Sequence, residues 1–209
     1  MTEGAVITAD IVNSTLLPKA EAKKLSKQLA LLLEPHKHEF YRGDSFQVYV
    51  KSPEEALRLV LQLRTAAMKL PLEASMPRTD IRSSIGIGPV KIPVRELKTA
   101  TDEAFVLSGR AFDKLEKDQR LVISCPEQYK TANIGFRVIA DFVDFLFQRL
   151  TTKQAAVVFE LLTNRNQTET AKRLKKSQAT VHKHTQSAGW PQMEKLITEY
   201  RLLLGSIDI

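Results

Sequence analysis

The chain has 209 residues, 43% of them hydrophobic and 26% charged, and a formal net charge of +7 at neutral pH. That length holds one large or two small domains. No run approaches the roughly 20 apolar residues of a membrane helix, and "MTEGAVITADIV" lacks the basic and apolar segments of a secretory signal. The lone Cys125, inside "RLVISC", excludes an intramolecular disulfide and fits a reducing compartment. A cytoplasmic protein without a membrane partner is therefore expected. Residues 1–149 carry 22 Lys and Arg against 19 acids, and residues 150–209 carry 9 against 5. Positive charge is thus densest at the C-terminal end, which favours an anionic partner there.

In chain order, the first half alternates strand and helix signals. Residues 5–12, "AVITADIV", read as a strand. Pro18 opens a helix to Glu34 with Leu25, Leu29 and Leu32 or Leu33 at helical spacing. "FYRGDSFQVYV" reads as a hairpin turning at Gly43 and Asp44, with Phe46, Val48 and Val50 alternating against Gln47 and Tyr49. Pro53 begins a second helix whose apolar face is Ala56, Leu59, Val60, Leu63 and Ala67. "DIRSSIGIG" reads as another strand, in which Gly86 and Gly88 permit close packing. A helix near 102–116 and a strand near 120–125 follow.

Strand, helix, hairpin, helix, strand is the split βαβ order, in which the first strand lies centrally beside the hairpin. The expected fold is α+β: a ferredoxin-like (βαββαβ) two-layer sheet domain over residues 1–135, a connecting helix over 136–150, and an all-α unit over 151–209. On this topology Asp10 and Asp44 come together at one edge of the sheet. Two carboxylates so placed can hold Mg²⁺, a hard cation that takes oxygen ligands and binds nucleotide phosphates. The same residues also suit plain structural roles, Asp44 as a turn residue and Asp10 at a strand end.

Within the last unit Thr151 is a plausible N-cap for "TKQAAVVFELL". In "NQTETAKRLKKSQATVHKHTQSAGW", residues 167–174 form a short helix with Ala171 inward, Lys175 and Lys176 occupy a turn, and Ser177 caps a second helix over 178–187 buried through Val181. The spacing is that of a helix-turn-helix. His182 and His184, two apart on a helix, point to different sides and do not make a metal site.

"QTETAKRLKKSQATVHKHT" resembles the helix-turn-helix of LuxR-type regulators and of the promoter-reading region of sigma factors. The resemblance implies double-stranded DNA as partner. Gln178, Thr180, His182 and Lys183 would then lie near the groove, and Lys172, Arg173, Lys175 and Lys176 would contact phosphates. It departs from those families at Lys175 and Lys176, where Gly and an apolar residue are usual.

"ADIVNST" resembles the metal-binding start of class III nucleotidyl cyclases, and "RGDSFQVYV" resembles their Gly-Asp hairpin and that of the GGDEF diguanylate cyclases. "DIRSSIGIGPV" and "EAFVLSGRAFDKLEK" are similar to the cyclase strand and helix that follow. Together with the C-terminal unit, "DIVNS" and "GDSFQ" resemble the SatD family. These resemblances imply Mg²⁺ with a nucleotide at Asp10 and Asp44, with the Ile11 carbonyl as a backbone ligand. Ser45 replaces an acidic residue of the diguanylate cyclases, Arg110 is out of register with the cyclase arginine, and the cyclase asparagine and the purine-selecting Lys and Asp have no counterpart. The resulting expectation is a dimeric, DNA-binding transcriptional regulator with a degenerate cyclase-like domain that binds a nucleotide without efficient turnover. The alternative is an active Mg²⁺-dependent nucleotidyl cyclase with a regulatory basic C-terminal domain.

Overall fold

The computed structural model describes residues 2–41, 43–73 and 75–207. Its strands are β1 (Thr2–Val12), β2 (Lys37–Tyr41), β3 (Ser45–Val50), β4 (Asp80–Val90) and β5 (Leu121–Ser124). They form one sheet in the order β2-β3-β1-β4-β5, antiparallel throughout except for the parallel β4–β5 pair. With α1 (Lys19–Leu33) between β1 and β2 and α2 (Ala56–Met68) between β3 and β4, β1 sits centrally. This is the expected split βαβ arrangement, and after α3 (Glu103–Asp113) the strand β5 extends the sheet on one edge. The last two residues of the expected 151–209 unit lie outside the described residues.

Period-two alternation divides the sheet into two chemically different faces. Ala5, Ile7 and Ala9 of β1, Phe46, Val48 and Val50 of β3, and Ile85 and Ile87 of β4 join one large core with Leu25, Leu29 and Leu33 of α1 and with α2. The opposite face is not left to solvent, as a two-layer domain would have it. There α3 packs down, with Val6, Tyr49 and Val90 forming a second, smaller core with Ala104 and Phe105. Gly86 makes that approach possible: a Cβ there would lie 2.3 Å from the Ala104 carbonyl oxygen. The sheet is therefore covered on both sides over β1 and β4, a third layer that the alternation of "DIRSSIGIG" does not reveal.

Helix α2 also departs from its expected single apolar face. Leu57, Leu61, Arg64 and Thr65 are as buried as Leu59, Val60 and Leu63. The reason is a second layer of helices: α4 (Lys130–Gln148), α5 (Thr152–Leu162), α6 (Gln167–Leu174), α7 (Gln178–Ser187) and α8 (Trp190–Leu204). Of these, α5 lies on the outer side of α2. Across the contact Arg58 and Gln62 donate to the Leu162 carbonyl (3.1 and 2.9 Å), and the Tyr200 hydroxyl donates to the Pro53 carbonyl (2.9 Å). The Lys69 ammonium lies 3.2 Å from the centre of the Phe159 ring, and burial pushes its pKa down to about 8. The C-terminal helices are packed on the sheet domain with no linker between them. No described helix is long and apolar enough to cross a membrane.

One ionic cluster ties these layers together. The fully buried Arg64 of α2 donates through Nε and Nη2 to both oxygens of Asp80 on β4 (3.1 and 2.9 Å) and through Nη1 to Asp144 of α4. The other Asp144 oxygen accepts the Arg120 and Leu121 amides (2.8 and 3.2 Å), fixing the start of β5. Burial disfavours the Arg64 charge, but Asp80 and Asp144 more than offset this and raise its pKa. Removing the cation leaves two carboxylates without their partner. Arg64→Ala should lower stability by about 3–5 kcal/mol in urea denaturation, the cost of breaking a buried pair; a loss below about 1 kcal/mol would contradict this role.

Candidate functional site

Two groups of residues carry the functional expectations, and they lie on different elements. The first is the end of β1. The antiparallel register places Asp10 opposite Ser45 on one side and opposite Arg82 on the other. The Ile11 amide donates to the Asp44 carbonyl (3.0 Å), so Asp10 and Asp44 do lie next to each other. They meet at the end of the central strand, not at a sheet edge. Gly43 holds φ at 86°, a value suited to glycine, and delivers the chain from the hairpin turn into Asp44.

The side chains are engaged separately. Arg82 donates to both oxygens of Asp10, through Nη2 (2.7 Å) and Nε (3.3 Å), while its guanidinium carbon lies 4.9 Å from the centre of the Phe112 ring. The Asp44 carboxylate accepts the hydroxyls of Ser14 (2.7 Å) and Ser45 (3.4 Å). As placed, the Asp10 carboxylate is engaged by a guanidinium and the Asp44 carboxylate by two hydroxyls. The cation that compensates Asp10 is already Arg82, and among the described residues no group of three or more His, Cys, Asp or Glu gathers as a metal cluster. Arg110, out of register in the sequence, is exposed on α3.

Arg82 was legible in principle, since an antiparallel β1–β4 pair would set Asp10 opposite it. Beyond it, the same face carries a closed set of hydroxyls. Thr8 and Ser108 share a hydrogen bond (2.7 Å), Gln47 donates to Thr8 (3.2 Å), and Ser84 donates to the Ser108 carbonyl (2.8 Å).

The second group is the α6–α7 pair. Asn166 and Glu169 form a capping box at the start of α6, and the Ser177 hydroxyl accepts the Thr180 amide (3.1 Å) at the start of α7. Lys175 between them is left-handed (φ 51°), and the Lys176 amide returns to the Ala171 carbonyl (2.9 Å). Lys175 thus takes the conformation for which related turns use glycine. Ala171, Val181 and Thr185 are buried where the two helices meet and pack on α5.

Of the residues expected at a groove, His182 and Lys183 are exposed and point outward with Gln186, which the sequence reading did not select. Gln178 is exposed but its amide donates to Thr168 (3.1 Å), and Thr180 is half-buried with its hydroxyl on Ser177 (2.8 Å). Both are committed to holding the turn. Counting four residues on from His182, or three on from Lys183, would have found Gln186 on the same face. Lys172, Arg173 and Lys175 are exposed and Lys176 half-buried; Arg173 also pairs with the buried Glu160 of α5 (2.9 Å). Burial, then Lys176, Lys153 and Lys183, hold the His184 imidazole below its usual pKa.

No family model matches the chain, and no curated protein matches it. The chain is similar over part of its length to two solved cyclase structures. One is the active GGEEF domain of a diguanylate cyclase from Vibrio cholerae, at 16% identity and a TM-score of 0.42 over 58% of this chain and 83% of that one. The other is a bacterial light-regulated adenylyl cyclase, at 16% identity and a TM-score of 0.37 over 59% of this chain and 43% of that one. Superpositions this loose leave the residues above to be read on their own geometry.

From that geometry Arg82 is predicted to compete with a cation for Asp10. Millimolar Mn²⁺ should leave the melting temperature of the native protein unchanged. In Arg82→Ala, where the freed carboxylate adjoins Asp44, Mn²⁺ should raise it measurably. A Mn²⁺-dependent rise already present in the native protein would show that the ion pair does not exclude the metal.

Proposed function

We propose that this chain binds double-stranded DNA as a transcriptional regulator, with α7 toward the major groove. The observation that carries this reading is the α6–α7 pair itself: two capped helices joined through a left-handed Lys175, with His182, Lys183 and Gln186 outward and Lys172, Lys175 and Lys176 beside them. A polar helix face flanked by ammonium groups suits a groove lined by phosphates. The lack of acidic residues between Thr170 and Ser187 removes the repulsion that a phosphate backbone would otherwise meet. The outward residues are those left free by the packing, so base contacts fall to His182, Lys183 and Gln186, and the cap residues Gln178 and Thr180 support them.

Titrating duplex DNA over a salt series tests this. Affinity should fall steeply with salt, because each neutralised phosphate releases a counterion. Replacing Lys175, Lys176 and Lys183 together by Ala should reduce the log–log slope by about 2–3. Lys175→Gly is the informative single change: glycine suits the left-handed turn, so the fold should hold or gain slightly while the slope falls by about 1. Absence of binding to any duplex even at low salt would remove the proposal.

A second reading, a nucleotidyl cyclase with a basic regulatory unit, is favoured by the adjacency of Asp10 and Asp44. A cavity of about 490 Å³ also opens beside the end of β1, lined by Asn13, Arg78, Asp80 and Arg120. The Asp10–Arg82 pair weighs against it. Incubation with each nucleoside triphosphate and Mg²⁺ or Mn²⁺ decides: this reading requires pyrophosphate release that Asp44→Asn abolishes, and the regulator predicts none above background.

A further inference from the structure

Helix α4 is apolar on two opposite sides. Its inner side, with Phe136, Val143 and Phe147, is buried in the main core. On its outer side Ile134, Val138, Phe142 and Phe145 are 53, 62, 39 and 43% exposed. Their spacing of four, four and three residues makes one continuous stripe along the helix. Phe142 and Phe145 stack on each other, ring centres 5.8 Å apart and planes 13° from parallel, and the Arg149 guanidinium carbon lies 3.7 Å from the centre of the Phe145 ring, so the stripe ends in an aromatic pair flanked by a cation. A run of large apolar residues along an outer helix face marks an interaction surface rather than scattered exposure.

We propose that this stripe is a homodimer interface in which α4 packs antiparallel against α4 of a second copy. The charges on that face select the occupant. Arg137 and Asp141 are exposed one turn apart beside the stripe, and neither is in an ion pair among the described residues. Antiparallel pairing centred near residue 140 sets Val138 against the partner's Phe142 and Ile134 against the partner's Phe145. It also brings Arg137 near the partner's Asp141, and the twofold axis repeats that pair. A parallel pairing would instead put the two charged flanks on opposite sides of the interface, where Arg137 and the partner's Asp141 are out of reach of each other. The stripe offers on the order of 300 Å² of apolar surface per copy, below the roughly 800 Å² per partner of a standard stable interface. The dimer is accordingly weak, with a Kd on the order of micromolar. The inference does not depend on what α7 binds.

Sedimentation velocity of the full chain over a concentration series from about 1 to 100 µM, bracketing that Kd, tests the interface. The native protein should pass from monomer to dimer, and Val138→Glu should remain monomeric at every concentration with an unchanged melting temperature, since its side chain lies outside the fold. Arg137→Glu and Asp141→Arg should each weaken dimerisation about tenfold, and the double swap should recover it, because the pair is reciprocal only between two copies of this chain. A native protein that stays monomeric throughout would overturn the proposal. So would a Val138→Glu variant that dimerises like the native chain, or a double swap no better than the singles, the latter removing the antiparallel pairing.

Discussion

The structure depends on one buried guanidinium. Arg64 has no exposed surface, yet it contacts β4 through Asp80 and α4 through Asp144, and through Asp144 it reaches the first amides of β5. Phe147 closes the cluster, its ring centre 4.5 Å from the guanidinium carbon. A buried charge is tolerated only when its partners are held in place, and here each partner belongs to a different element. An apolar side chain could fill the same volume, but it would not dictate which turn of α4 faces the sheet. In a helix that is apolar on both sides, packing alone leaves that choice open. The ion pair at Asp144 makes it, burying Phe136, Val143 and Phe147 and turning the Val138 stripe outward.

The placement of α4 then sets the positions of the remaining helices. Only Arg149, Leu150 and Thr151 separate α4 from α5, and a capping box of Thr151 with Gln154 starts α5 without freedom to wander. Helix α5 lies on α2, and α6 and α7 are built on α5. The buried Glu160 of α5 draws in Arg165 and Arg173 from either side of the following turn. Polar links at Leu162 and Pro53 complete the contact on the sheet domain. The C-terminal helices therefore inherit their orientation from the sheet through α4 and α2 together.

Much of this architecture is written in local patterns. Strand alternation in "DIRSSIGIG" and "SFQVYV", the caps at Thr151 and Ser177, and the burial of Ala171 and Val181 each follow from spacing that a single segment contains. The parts that were not legible involve partners from distant segments. The expected one-sided α2 became a helix buried all round because α5 covers it from about 100 residues away. The position of α3 on the far face rests on Gly86, whose missing Cβ reads in sequence only as permissive packing. At the candidate site, the adjacency of Asp10 and Asp44 followed from topology, while the partner of Asp10 required the β1–β4 register. The resemblance points to a cation on α3, whereas the cation that meets Asp10 is Arg82, on the neighbouring strand β4.

The two arginines show how identical chemistry is put to different use by exposure. Arg64 and Arg82 each meet an aspartate through two nitrogens, and each guanidinium lies near an aromatic ring. Arg64 is sealed, so its pairing is a structural constraint with no cheaper alternative. Arg82 and Asp10 keep 33 and 22% of their side-chain surface, so water competes for both and the pair contributes at most about 1 kcal/mol to stability. A site held this weakly can be reorganised by a ligand whose binding free energy exceeds that small cost, whereas the Arg64 cluster cannot. Any response to a small molecule at the end of β1 must therefore arise in the exposed pair and travel through contacts that leave Arg64 intact.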